Sequence, residues 1–208
     1  MIRHIVFDLD GTLIDSIGGL AYAMNAVLIE HQLSPHPAKA YRQMVGNGMR
    51  MLVKRALPLT MAEDELTVER FYDAMKEKYK QHWKVDMSVY PGICQMLDHL
   101  TREEYGLSVL SNKNEDMVKV IIREYFSSWH FEGQFGAGRH EVLKPDREAL
   151  LRLTDQLHWN PKECVVVGDS EVDIELGRNA GIPVIACGWG FRDKQFLKSL
   201  QPDVLVGK

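Results

Sequence analysis

The chain has 208 residues, 45% of them hydrophobic and 26% charged, and a formal net charge of −4. That is the make-up of a soluble globular protein, long enough for one large or two modest domains. The acidic balance excludes the basic footprint of a nucleic-acid binder, and no apolar run reaches the ~18 residues of a membrane span, so neither nucleic acid nor membrane is an expected partner.

The N-terminus shows no leader pattern. Ile5-Val6-Phe7 already reads as a buried strand, and it ends in Asp8-Leu9-Asp10-Gly11-Thr12. Leu20, Met24, Val27 and Leu28 then recur at helical spacing and predict a helix that ends near His31, ahead of Pro35 and Pro37. After Gly46-Asn47-Gly48, a second stripe of Met49, Leu52, Val53 and Ala56 stops at Pro58, and Leu66, Phe71, Met75 and Tyr79 mark a third helix. No strand pattern occurs between about Gly18 and Trp83, so this stretch reads as a helical insert. The linkers around it, near Asp15 to Gly19 and Lys84 to Tyr90, are the places to expect bending.

The pattern changes at Tyr90-Pro91-Gly92. Ile93, Met96, Leu97 and Leu100 predict a helix, and Leu107-Ser108-Val109-Leu110 a buried strand that ends in Ser111-Asn112. A helix over Met117 to Tyr125 follows, then a short extended segment near Phe131 to Phe135. Lys144-Pro145-Asp146 precedes a helix bearing Leu150, Leu153 and Leu157. Val165-Val166-Val167 is the next strand, ending in Gly168-Asp169, and its helix closes at Ala180-Gly181. Ile182 to Ala186 reads as a strand, about Asp193 to Leu200 as a helix, and Val204 to Val206 as a last strand. Alternating strands and helices imply an α/β fold with a doubly wound, Rossmann-like parallel sheet. The core domain is expected at 1–15 and 85–208, interrupted by a helical cap domain at 16–84. Cys94, Cys164 and Cys187 lack metal-ligand spacing and read as reduced thiols, which points to a cytoplasmic protein.

The polar residues that end these strands carry the chemistry. Carboxylates at the carboxyl end of a parallel strand face the crevice where α/β sheets bind ligands. Asp8 and Asp10 are so close that they repel unless a cation sits between them, and hard oxygen ligands suit Mg²⁺. A carboxylate can attack phosphorus and form an acyl phosphate, which makes Asp8 a candidate nucleophile and Asp10 a candidate general acid and base. Gly11 would let backbone approach a phosphate. Ser111 and Asn112 offer a hydroxyl and backbone N–H groups to its oxygens, and Lys144 a fixed positive charge. Asp169 and Asp173, at i, i+4 spacing, are expected on one face of a helix start, as further Mg²⁺ ligands beside Asp8 and Asp10. Each signal also has a bland reading: an acidic loop, a turn, a surface lysine, a helix cap. Their order along the strands is what gives them force.

In that order the residues resemble the haloacid dehalogenase superfamily. Asp8, Asp10, Gly11 and Thr12 are similar to its first motif, Ser111 and Asn112 to its second, Lys144 to its third, and Asp169 with Asp173 to its fourth. The insert is similar to the small helical cap of the phosphoglycolate phosphatase and β-phosphoglucomutase subgroup. Arg178-Asn179-Ala180-Gly181 and Gly188-Trp189-Gly190 look most like the phosphoglycolate phosphatases. The resemblance implies a Mg²⁺-dependent phosphatase that hydrolyses a small phosphorylated metabolite, with 2-phosphoglycolate the first guess, as a monomer or homodimer. A phosphomutase of the β-phosphoglucomutase type, a pyrophosphatase and a nucleotidase remain open. In the cap, Asn47, Gly48 and Arg50 are the candidates to face substrate, against the alternative of a helix-to-helix turn. Arg139 and His140, ahead of Lys144, read as surface residues.

Overall fold

The computed structural model describes residues 1–138 and 142–207, so Arg139 and His140 lie outside the described residues. In chain order the first elements are β1 (His4–Phe7), β2 (Ile14–Asp15), α1 (Ile17–Glu30), α2 (Ala38–Met44), α3 (Gly48–Ala56), α4 (Leu59–Ala62) and α5 (Glu65–His82). Then come β3 (Ser88–Val89), α6 (Ile93–Arg102), β4 (Gly106–Asn114), α7 (Glu115–Tyr125), β5 (Gly133–Ala137) and α8 (Arg147–Gln156). The chain finishes with β6 (Cys164–Gly168), α9 (Glu171–Ala180), β7 (Val184–Cys187), α10 (Lys194–Ser199) and β8 (Val204–Val206). Contacts divide it into two units, Met1–Ile14 with Val89–Lys208, and Asp15–Ser88.

The first unit is built on a parallel six-stranded sheet of order β5-β4-β1-β6-β7-β8. Phe7 at the end of β1 stands beside Val109 of β4 and Val167 of β6. The strands run outward from β1 in both directions, so the order reverses at β1. That reversal opens a crevice at the carboxyl ends of the strands. Val6, Leu110, Val166 and Val184 pack with Leu150, Leu153, Ile174 and Leu197 from the helices on one face. The alternate residues Ile5, Phe7, Val109, Val165 and Val167 are buried too. Burial on both faces explains why these strands read as unbroken apolar runs rather than as an alternation. Two free thiols, Cys164 and Cys187, lie inside this core.

Between the ends of β2 and β3, the described elements of the second unit, α1 to α5, are all helices. Leu20, Ala23, Met24, Val27 and Leu28 of α1 are buried, as are Leu52, Val53 and Ala56 of α3. In α5 the buried stripe is Val68, Phe71, Met75 and Tyr79, whereas Leu66, expected in it, is 82% exposed. Steps of 3, 4 and 4 residues from Val68 keep one helix face, and the step of 5 from Leu66 to Phe71 leaves it. Asn25 ties down the connection after α1: its amide donates to the His36 carbonyl (2.8 Å) and accepts from the His36 N–H (2.9 Å) and the Tyr41 hydroxyl (2.7 Å). Phe71 is fully buried, so Phe71→Ala is expected to cost about 3–5 kcal/mol, read as a lower midpoint in urea unfolding.

Candidate active site

The loop that leaves β1 is fixed by its own backbone. The N–H groups of Leu13 and Ile14 bond the Leu9 carbonyl (3.0 and 3.1 Å), and the Gly11 N–H bonds the Ile14 carbonyl (2.9 Å). The loop requires φ of +94° at Gly11, where any side chain would be strained and its Cβ would fall on the Asp169 carboxylate. Asp8 stands at the head of the loop, its N–H bonded to the Val167 carbonyl across the sheet (2.8 Å).

Lys144 bridges two buried carboxylates. Its Nζ lies 2.7 Å from Asp8 Oδ1 and 2.7 Å from Asp173 Oδ1. The Lys144 backbone is gripped in turn by Asn112, whose Oδ1 accepts from the Lys144 N–H and whose Nδ2 donates to the Lys144 carbonyl, both at 2.9 Å. The second oxygen of Asp173 accepts from the N–H (3.2 Å) and hydroxyl (2.7 Å) of Ser170, the residue that caps α9. Asp169 lies before that helix rather than on its face, so the expected one-face geometry of Asp169 and Asp173 does not hold, although their carboxylates still come within 4.8 Å of one another. Asp169 accepts from the Thr12 hydroxyl (3.2 Å) and the Phe191 N–H (2.7 Å). The loop after β7 that supplies Phe191 is anchored twice more. Trp189 Nε1 donates to the Thr12 carbonyl (3.0 Å), and Arg192 makes a two-pronged pair with Glu171 (2.6 and 2.8 Å). A Cβ on Gly190 would meet Asp169, and one on Gly168 would meet Asp173.

Asp8, Asp169 and Asp173 can each offer an oxygen, all within 4.8 Å of one another. Burial raises the Asp8 pKa to about 6; Lys144 opposes the rise and the neighbouring Asp173 adds to it. Burial, with Asp8 and Asp173 alongside, holds Asp169 well above the usual carboxylate range. Burial also works against the charge of Lys144, yet Asp173 and Asp8 outweigh it and raise its pKa. Carboxylates crowded and dehydrated in this way gain from a divalent ion among them, and an all-oxygen donor set suits a hard one. The residues present therefore fit a metal. Asp10, the other residue expected to bind it, does not join the group: Lys113 holds both of its oxygens at 3.0 Å.

The family of haloacid dehalogenase-like hydrolases matches residues 5–187. The chain belongs to it. A phosphoglycolate phosphatase of Psychrobacter arcticus is 35% identical over 205 residues, covering 95% of this chain and 88% of its own. One from Chromobacterium violaceum is 33% identical over 198 residues, covering 94% and 89%. Among solved structures, a predicted phosphoglycolate phosphatase from Haemophilus somnus superposes with a TM-score of 0.89 at 26% identity, covering 98% of this chain and 93% of that one.

Within this hydrolase framework, the structure gathers Asp8, Asp10, Gly11, Ser111, Asn112, Lys144, Asp169 and Asp173 at one end of the sheet. Ser111 is buried there, its Oγ accepting from the Lys113 N–H (3.3 Å). Asn47, Gly48 and Arg50 belong to the other unit. There Asn47 Oδ1 accepts from Arg55 (2.8 Å), and Arg50 pairs with Glu65 and Glu69 on an exposed face. Lys113 escaped the sequence reading, as did the long-range partners of Asp169. β4 does not stop at Asn112 but runs to Asn114, with an irregular register between Leu110 and Asn114. A polar run directly after a buried strand, Ser111-Asn112-Lys113-Asn114, was the available signal.

Proposed function

We propose that this hydrolase is a Mg²⁺-dependent phosphatase of the cytoplasm and that its substrate is 2-phosphoglycolate. One observation carries the chemistry: a buried carboxylate, Asp8, held by Lys144 at 2.7 Å beside two further buried carboxylates. The substrate assignment is supported by the relatives of like length, which bear the name phosphoglycolate phosphatase.

In the first half of the reaction an Asp8 oxygen attacks phosphorus. The bond from phosphorus to the leaving oxygen breaks, and that oxygen takes its electron pair and a proton from Asp10. In the second half a water oxygen attacks the same phosphorus and gives a proton to the Asp10 carboxylate. The acyl phosphate bond breaks, its electrons return to Asp8, and Asp10 is left protonated for the next turnover. Asp8, Asp169 and Asp173 would hold Mg²⁺, which would supply positive charge against the phosphate oxygens and the nucleophile. Lys144 orients Asp8 and adds a second positive charge. The amide of Asn112 grips the Lys144 backbone, so Asn112 serves phosphate through its N–H and through Lys144, while Ser111 offers a hydroxyl.

The test is phosphate release from 2-phosphoglycolate, pyrophosphate, β-glucose 1-phosphate, a nucleoside monophosphate and 4-nitrophenyl phosphate, each with Mg²⁺ and with EDTA. The expected result is EDTA-sensitive release, with kcat/KM for 2-phosphoglycolate at least ~10-fold above the others. Preference for another compound would reassign the substrate. Isomer interconversion of a sugar phosphate without phosphate release would replace the phosphatase with a mutase.

A further inference from the structure

The geometry points to Lys113 as the positioning residue that aims the Asp10 carboxyl at the leaving oxygen. This inference rests on the reading of Asp10 as the proton carrier and goes beyond it by naming what holds that carrier in place. Lys113 Nζ stands 3.0 Å from both Asp10 oxygens. Its side chain is only 6% exposed, an unusual condition for a lysine, while that of Asp10 is 17% exposed. Freezing a long, flexible side chain in a buried site costs conformational entropy, and a symmetric two-oxygen contact is what offsets it here.

That contact does something the backbone cannot. The turn between Leu9 and Ile14 fixes where the Asp10 main chain sits, whereas the orientation of the carboxyl is set by what the side chain itself contacts. An ammonium equidistant from both oxygens sets the plane of the carboxyl. Lys113 lies within the stretch of β4, between Leu110 and Asn114, where the pairing with β5 is irregular, and its N–H donates to the Ser111 hydroxyl (3.3 Å). Two strand ends are thereby joined through side chains: β1 supplies the proton carrier and β4 the group that aims it.

A proton carrier's aim matters in proportion to the need for the proton. An alkoxide leaving from 2-phosphoglycolate is a strong base and must be protonated as the phosphorus–oxygen bond breaks. A 4-nitrophenolate is a weak base and departs without help. Lys113→Met, which keeps the stem and removes the charge, is expected to lower kcat/KM for 2-phosphoglycolate roughly 30- to 100-fold and for 4-nitrophenyl phosphate less than about 5-fold. Lys113→Arg is expected to recover part of the loss on 2-phosphoglycolate. The ratio of the two rates, measured on one sample, does not depend on how much of that sample is folded. In an Asp10→Asn background the Lys113→Met change should leave that ratio unaltered, because the group to be aimed is gone.

Equal losses on both substrates, or no loss on either, would overturn the role of Lys113 while leaving the phosphatase reading intact. A wild-type protein that releases phosphate from neither substrate overturns that reading, and this inference with it.

Discussion

Asp8→Asn is expected to reduce phosphate release from 2-phosphoglycolate by at least ~10³-fold while the protein stays folded. The substitution preserves shape and removes the one property that the reaction needs, a negatively charged oxygen able to attack phosphorus. An amide oxygen at position 8 can still accept from Lys144, and Lys144 keeps its contact with Asp173. Stability should not fall. Burial raises the Asp8 pKa from 3.8 to about 6, so the folded protein binds a proton there that the unfolded chain has already lost. Such a carboxyl lowers stability progressively as pH rises from about 4 to about 6, and its cost is fully present at pH 7.5. A neutral isostere removes that cost. In metal-free buffer at pH 7.5 the variant should melt no lower than the parent, which separates chemical loss from unfolding. Phosphate release within 10-fold of the parent, on the scale of one decade per ~1.4 kcal/mol, would remove Asp8 from its role.

The second large effect is expected at Lys144, and in the opposite sense. Lys144→Met deprives Asp8 and Asp173 of the ammonium 2.7 Å from each and leaves buried charge uncompensated. Breaking a buried pair in this way costs about 3–5 kcal/mol, which for a chain of this size lowers Tm by roughly 10 °C. The deficit should depend on pH. Lys144 opposes the rise of the Asp8 pKa, so without it Asp8 holds its proton to still higher pH. The variant is then penalised most above the parent's Asp8 pKa of about 6, and the gap between the two melting curves narrows at pH 5. Lys144 is itself charged throughout this range, its own pKa being raised, so its loss adds no slope. Activity should drop at least ~10²-fold through lost stabilisation of the transferring phosphoryl group. Added Mg²⁺ should recover part of the stability, since a cation among Asp8, Asp169 and Asp173 replaces the missing charge. A Tm deficit that is the same at pH 5 and pH 8 would contradict this account.

What the sequence could disclose followed the reach of its signals. Buried parallel strands announce themselves as apolar runs, so β1, β4 and β6 and the polar residues at their ends could be located without coordinates. The short edge strand β8, Val204–Val206, lay where its β-branched pattern suggested. Signals that depend on register were harder. Leu66 fits an apolar stripe by composition, and only the helical phase set by Val68, Phe71 and Met75 turns it to solvent. Asp169 and Asp173 look like helix neighbours by spacing, yet only Asp173 is inside α9. Contacts between distant parts of the chain left no local trace. The hold of Phe191 on Asp169, and of Lys113 on Asp10, spans 22 and 103 residues respectively. Arg50 illustrates the same limit, because its partners Glu65 and Glu69 lie 15 and 19 residues onward, on another helix.

The glycines at 11, 168 and 190 give the acidic end of the sheet walls of main chain, with Asp169 and Asp173 pressed directly against them. A wall without side chains offers nothing to trim, lengthen or recharge. Directed evolution toward a new substrate would find these positions closed even to alanine, although no side chain is there to be lost. Positions at which the enzyme's selectivity can be varied are therefore to be sought elsewhere in the chain.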